Sequence, residues 1–238
     1  MQVFYRLSPK NSAHEARRPR YAFDKLKLAR YCLKSFVESF MEVSPTVNFI
    51  LDNCGKEWDE MVRNECPFEG KVIHITRNDQ TPPMSYDHTS YYKQLDLAKD
   101  INDYVLFQED DYVYLPNTGK KLLDAMRVLE FVSPYDHLEH YTRTIEFHKP
   151  PFDIKLVGNH HWRTIDFCTM TWGCHSTRLL DYWDDLHLHG CWDKDTWTEM
   201  GKHGAKLWTP IPSLATHMHR DFLPPGIDWE ERFNALDK

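Results

Sequence analysis

Four strand-length apolar runs, separated by helix-length amphipathic segments, fill the first 108 residues, and this alternation constrains the fold more than any other feature. Residues 2 to 7 form the first run. Leu26, Ala29, Leu33, Phe36, Val37 and Phe40 recur at spacings of three, four and seven, which predicts a helix over residues 23 to 41, closed by Pro45. Val47 to Leu51 is a continuous apolar run of the kind buried on both faces of a parallel sheet, and it stops at Asp52-Asn53-Cys54-Gly55. A short helix around Trp58, Met61 and Val62 comes next, then a β-rich run from Lys71 to Thr76 that ends at Arg77-Asn78-Asp79. A helix over residues 85 to 101 follows, with Tyr91, Leu95, Ala98 and Ile101 on one face. Tyr104-Val105-Leu106-Phe107-Gln108 gives the strongest strand signal in the chain, and Glu109-Asp110-Asp111 ends it. Alternation at these lengths implies right-handed crossovers and a mainly parallel sheet with helices on both faces, an α/β fold.

The pattern changes after a helix expected at about 118 to 132 (Leu122, Met126, Leu129, Val132). Asp153 to Val157 and Trp162 to Thr171 read as two strands joined at Gly158-Asn159, a dipeptide suited to a tight hairpin. Helices around 176 to 188 and 194 to 203, a run from Leu207 to Ile211, and a tail rich in proline and aromatic residues complete the chain. With 238 residues and no repeat or low-complexity linker, residues 1–132 and 133–238 read as two halves of one compact domain that share a cleft.

Composition narrows the function. The chain carries 29 Lys+Arg against 36 Asp+Glu, a formal charge of −7, which argues against general affinity for nucleic acid or anionic membrane. Arg17-Arg18-Pro19-Arg20 is the one basic cluster of the first half, and a solvated loop explains it as well as a phosphate contact. No apolar stretch approaches a membrane span, and Met1 to Arg6 lack the plan of a secretion signal, so a soluble, cytosolic protein is expected. The six cysteines form no Cys-x-x-Cys pair and read as reduced thiols. The glycine loops of P-loop NTPases and dinucleotide-binding proteins and the Gly-x-Ser-x-Gly elbow of serine hydrolases are all missing.

Ligands of a parallel sheet bind at the carboxyl ends of its strands, and both Asp52 and the acidic triplet fall at such ends. Three adjacent carboxylates there repel one another, and a divalent cation removes the penalty. Mg²⁺ and Mn²⁺ suit the site because they need only one or two protein carboxylates, with water and substrate phosphates supplying the rest.

Tyr104 to Asp111 resembles the segment of family 2 and related nucleotide-sugar glycosyltransferases in which an apolar strand ends in Asp-x-Asp. The fold of those enzymes, GT-A, is a Rossmann-like sheet flanked by helices. Aligned without a gap, Glu109 takes the first acidic position and Asp111 the second. The resemblance implies that Asp111 binds the metal, with Glu109 as a further candidate ligand, and that Glu109 and Asp110 lie near the ribose and sugar of the donor. Val47 to Asn53 is similar to the second strand of that fold, which implies that Asp52, with Asn53, contacts the nucleotide base. Asp193-Lys194-Asp195-Thr196-Trp197, followed by Gly201, Gly204 and the Ala205 to Pro210 run, resembles the family's Glu-Asp helix, glycine turn and closing strand. Asp195 falls on the catalytic base. Lys194 stands where the family usually has Glu, so Asp193 is kept as the alternative. Ser213 to Arg220 lies where many such enzymes carry a late histidine. His217 could complete a metal shell or be a hydrogen-bonded structural residue, and Arg220 could pair with phosphate oxygens.

The resemblance thus implies transfer of a sugar, with inversion, from a nucleotide sugar (a UDP-sugar) to a hydroxyl of a glycan or other acceptor, with Mn²⁺ or Mg²⁺. A sugar-phosphate nucleotidyltransferase of related fold and a non-catalytic nucleotide- or carbohydrate-binding module are the competing readings. A zinc site at His160-His161 or at His187 with His189 lacks a completing ligand set. Trp162, Trp172, Trp183, Trp192 and Trp197 could offer faces to a sugar, although most large aromatics serve the core.

Overall fold

A computed structural model describes residues 1–9, 19, 22, 24–76, 86–142, 152–190 and 192–237. Arg17, Arg18 and Arg20, the Arg77-Asn78-Asp79 run and Cys191 lie outside the described residues.

The first half follows the alternation closely. Strand β1 (Gln2–Leu7) leads to helix α1 (Lys25–Phe40), whose first turn is capped by the Asp24 carboxylate accepting from the Lys27 N–H at 2.7 Å. Strand β2 (Thr46–Asp52), helix α2 (Lys56–Glu65), strand β3 (Val72–Ile75), helix α3 (Tyr86–Ala98) and strand β4 (Tyr104–Gln108) complete three crossovers. The four strands lie in the order β3-β2-β1-β4, all parallel. Because successive side chains alternate in direction, β1 feeds both cores: Val3, Tyr5 and Leu7 pack with Leu33, Phe36 and Phe40 of α1, while Phe4 packs with Tyr91 and Leu95 of α3.

Strand β5 (Tyr112–Tyr114) and helix α4 (Thr118–Met126) follow. The helix is shorter than the 118 to 132 pattern implied. Leu129 and Val132 keep the helical spacing, but Phe131–Val132 form strand β6 and pair with two other strands, so tertiary pairing overrides the local period. After a helical turn, α5 (Glu139–Thr142), strands β7 (Ile154–Val157) and β8 (His160–Ile165) form the expected hairpin, with Gly158 in the left-handed region at φ 60°. The second strand stops at Ile165 rather than Thr171. A separate strand, β9 (Trp172–His175), carries the chain back into the sheet. Helices α6 (Thr177–Asp181), α7 (Trp183–Leu188) and α8 (Asp193–Lys202), strands β10 (Leu207–Ile211) and β11 (Ala215–His217), and helix α9 (Trp229–Asn234) end the chain.

The large sheet runs β3-β2-β1-β4-β9-β6-β10-β8-β7, so strands from both halves share it. β9 inserts antiparallel between β4 and β6, β6 pairs parallel with β10, and β8 and β7 add an antiparallel margin. This is the α/β, Rossmann-like architecture that the resemblance implied: a mixed sheet with parallel core strands and flanking helices. β11 pairs antiparallel with β5 in a separate two-stranded sheet that bonds the end of the chain to the segment after β4. Among the described residues, no helix is long and apolar enough to cross a membrane.

Candidate functional site

In a doubly wound sheet, the crevice opens at the carboxyl ends of the strands where the chain reverses its order of laying them down. Here that point lies between β1 and β4: β2 and β3 extend to one side of β1, and the chain then returns to place β4 on the other. The register Tyr5↔Gln108 brings Arg6, Leu7 and Ser8 beside Glu109 and Asp110, and Leu7↔Leu51 sets Asp52 next to Ser8. All three acids of the triplet and Asp52 therefore occupy one edge.

The three carboxylates have different partners. Glu109 accepts from Arg6 at 2.7 Å, and its backbone N–H donates to Thr171 Oγ1 at 3.2 Å. Burial raises the Glu109 pKa; the Arg6 guanidinium opposes the rise, and the Asp111 charge adds to it. Asp110 is buried and accepts from Lys25 Nζ at 2.6 Å and from the Ser8 N–H at 2.9 Å. Asp111 lies 3.2 Å from His217 Nε2.

Local backbone pairing explains how His217 reaches an acid 106 positions earlier. The β5–β11 register sets His217 opposite Tyr112, and the Met218 N–H donates to the Asp111 carbonyl at 2.9 Å. The imidazole stacks on the Tyr112 ring, with centroids 5.4 Å apart and planes 16° from parallel. Burial would lower its pKa, but the surrounding carboxylates of Asp111, Glu109 and Asp193 outweigh that and raise it.

Asp193 opens α8, is half-buried, and holds the Lys194 N–H at 2.7 Å. Burial raises its pKa, opposed by that N–H and by the His217 charge, while Asp195 adds to the rise. Of the two candidate bases, Asp193 contributes to the raised pKa of His217. Asp195, two residues along the helix, is exposed. Asp52 is buried at the end of β2, two strand spacings from β4, or about 10 Å across the sheet. Asn53, exposed and in the left-handed region at φ 53°, donates its backbone N–H to the Ile75 carbonyl at 2.9 Å. Arg220 is 61% exposed and bonds its neighbour Asp221 at 3.1 Å; it is not drawn into the cluster.

Arg6, Lys25 and Thr171 escaped the sequence reading. Arg6 and Lys25 could have been suspected as cations near strand ends, but only the β1–β4 register shows which acid each meets. The other histidine pairs do not converge on a site: His160 bonds Asn159 in the β7–β8 hairpin, and His187 stacks on Tyr92.

Among the described residues, no group of three or more His, Cys, Asp and Glu side chains is arranged to hold a metal ion unaided. Asp111 and His217 nevertheless offer a carboxylate and an imidazole at 3.2 Å from each other, a donor set that fits a cation completed by phosphate oxygens and water.

No protein-family model and no curated protein sequence matches the chain. Among solved structures, mouse xyloside xylosyltransferase 1 in its apo form is similar over 85% of this chain and 82% of its own, with 12% identity and a TM-score of 0.45. The inositol-1-phosphate CTP transferase of T. maritima is similar over 100% of this chain and 96% of its own, with 10% identity and a TM-score of 0.48. S. aureus TarS 1-349 is similar over 87% of this chain and 57% of its own, with 14% identity and a TM-score of 0.48.

Proposed function

We propose that the chain is a metal-dependent glycosyltransferase that moves a sugar from a nucleotide sugar, a UDP-sugar, to a hydroxyl of a glycan or other acceptor, with inversion. The observation that carries this reading is the cluster at the sheet's switch point, where His217 meets the last of three consecutive carboxylates and Asp193 is close enough to perturb His217. Residues 1–132 would hold the donor and 133–238 the acceptor.

Arg6 and Lys25 neutralise Glu109 and Asp110 from within the chain, which reserves Asp111, with His217, for Mn²⁺ or Mg²⁺. Once bound, that cation would offset the charge that grows on the departing nucleoside diphosphate. Asp52 and Asn53 are assigned to the nucleotide base and Glu109 to the ribose and sugar. Asp193 is assigned as the base that takes the proton of the acceptor hydroxyl. Burial raises its proton affinity, which suits that task, and its position beside His217 favours it over the exposed Asp195. The unbridged thiols of Cys54, Cys66, Cys168 and Cys174 fit a cytoplasmic, reducing location.

A thermal-shift panel of nucleotide sugars, with and without Mn²⁺, should raise the melting midpoint for one donor, and nucleoside diphosphate should be released in the presence of acceptor. Asp111→Ala should lower turnover by a factor on the order of 10² or more while leaving the protein folded. Asp193→Asn should retain donor binding and lose transfer, whereas Asp195→Asn should retain both. Wild-type transfer by Asp111→Ala would remove the metal assignment. Pyrophosphate release from a nucleoside triphosphate and a sugar phosphate would move the chain to the nucleotidyltransferases.

A further inference from the structure

The opposite edge of the large sheet holds a cavity of about 410 Å³, where β4, β6 and β10 begin and β9 ends. β4 spans about 13 Å between the two regions, from Tyr104 on the cavity wall to Gln108 beside the acids. The cavity and the acidic cluster share no residue. In a chain of net charge −7, four cationic side chains line this space, Arg127, Lys155, Arg178 and Lys206, against one carboxylate, Glu130.

Glu130 is committed to local partners. It accepts from the Lys206 N–H at 2.9 Å and from the Tyr182 hydroxyl at 3.4 Å, and it lies 3.9 Å from Arg178 Nε. Lys155 rests its ammonium 5.2 Å above the Trp208 ring. The other three cations reach outward to acids that do not line the cavity: Arg127 to Asp124 at 3.1 Å, Arg178 to Asp181 at 2.9 Å and Lys206 to Asp153 at 2.6 Å. Arg127, Arg178 and Lys206 are 56%, 50% and 58% exposed, and ion pairs of that exposure are weak because water screens them. Such pairs can be exchanged for a ligand that engages several cations at once, and two guanidinium forks match the oxygens of a phosphate group bidentately.

We propose that this cavity is a binding site for a multiply charged phosphate-type anion, separate from the acidic cluster and independent of the transfer chemistry assigned there. The ligand chemistry is a phosphoryl oxyanion of charge two or more. It could come from an inorganic polyphosphate or from the phosphate of a small ester.

Calorimetric titration of the full chain without added divalent cation, using pyrophosphate in one arm and a sugar phosphate in the other, tests the site and distinguishes the two sources. Wild type should bind at least one probe, more weakly as salt rises. Arg178→Glu with Lys206→Glu should weaken binding at least tenfold, and Asp111→Ala should leave it unchanged. Arg178→Gln with Lys206→Gln serves the same comparison if the charge reversal fails to fold. No binding of either probe to wild type overturns the site. So does binding that is lost in Asp111→Ala but unchanged in the Arg178 and Lys206 variants.

Discussion

At the residue scale, a heavily committed charge lies outside the acidic triplet. Asp136 is 1% exposed and is held by Arg163 at 2.6 Å, by His140 Nδ1 at 3.0 Å and by the Tyr141 hydroxyl. Removing one partner of a buried ion pair leaves a charge that nothing compensates, at a cost of roughly 3–5 kcal/mol. Arg163→Met should fall near the lower end of that range, because His140 and Tyr141 remain. Adding Asp136→Leu should restore much of the loss in equilibrium denaturation. Equal instability of the single and double variants would mean that packing, rather than the unpaired charge, sets the penalty. His203 behaves differently. Its bond to Asp185, 2.8 Å at Nδ1, raises its pKa, so its contribution is complete below the ordinary histidine value and fades as pH rises through the folded one. The melting temperature lost in His203→Gln should therefore be greater at about pH 5.5 than at about pH 9, and the opposite trend would refute the pairing.

At the scale of elements, β9 is the seam that joins the parallel strands to the rest of the sheet, and Gly173 lets it fit. A Cβ at that position would lie 2.7 Å from the Val105 carbonyl oxygen and 2.8 Å from Met126 Sδ. The sulfur can move, but the ladder carbonyl cannot. Gly173→Ala should cost about 1–3 kcal/mol by chemical denaturation, and Met126→Ala should not rescue it. The same seam marks where the sequence pattern stopped being informative. Helices α1 to α3 and strands β1 to β4 are legible because each carries its own period and each crossover is local. β6 and β9 are too short to show a period. Trp172-Gly173-Cys174-His175 has no β-branched residue, and Phe131–Val132 continues a helical stripe. Their strand character comes from partners 41 to 76 positions away in the sequence, so no short window of sequence could contain it.

At the scale of the whole molecule, a chain of charge −7 places different charge patterns at the two edges of its sheet. One edge holds the acidic triplet, with Asp111 against the His217 imidazole, while at the other edge four cationic side chains and one carboxylate line a cavity. The carboxylate edge was partly readable in advance, because acids at the end of an apolar strand are visible in one dimension. The pairings Arg6 with Glu109, Lys25 with Asp110 and His217 with Asp111 were not, because each depends on strand register or on the two-stranded β5–β11 ladder.

That ladder has a consequence for biosynthesis. A domain generally folds as a unit, and the parallel strands share one sheet with β9, β6 and β10, so the acidic edge is completed only once those later strands have been made. Chemistry that needs both the anionic edge and the imidazole could therefore begin only after Ala215 to His217 had emerged and zipped onto Tyr112 to Tyr114.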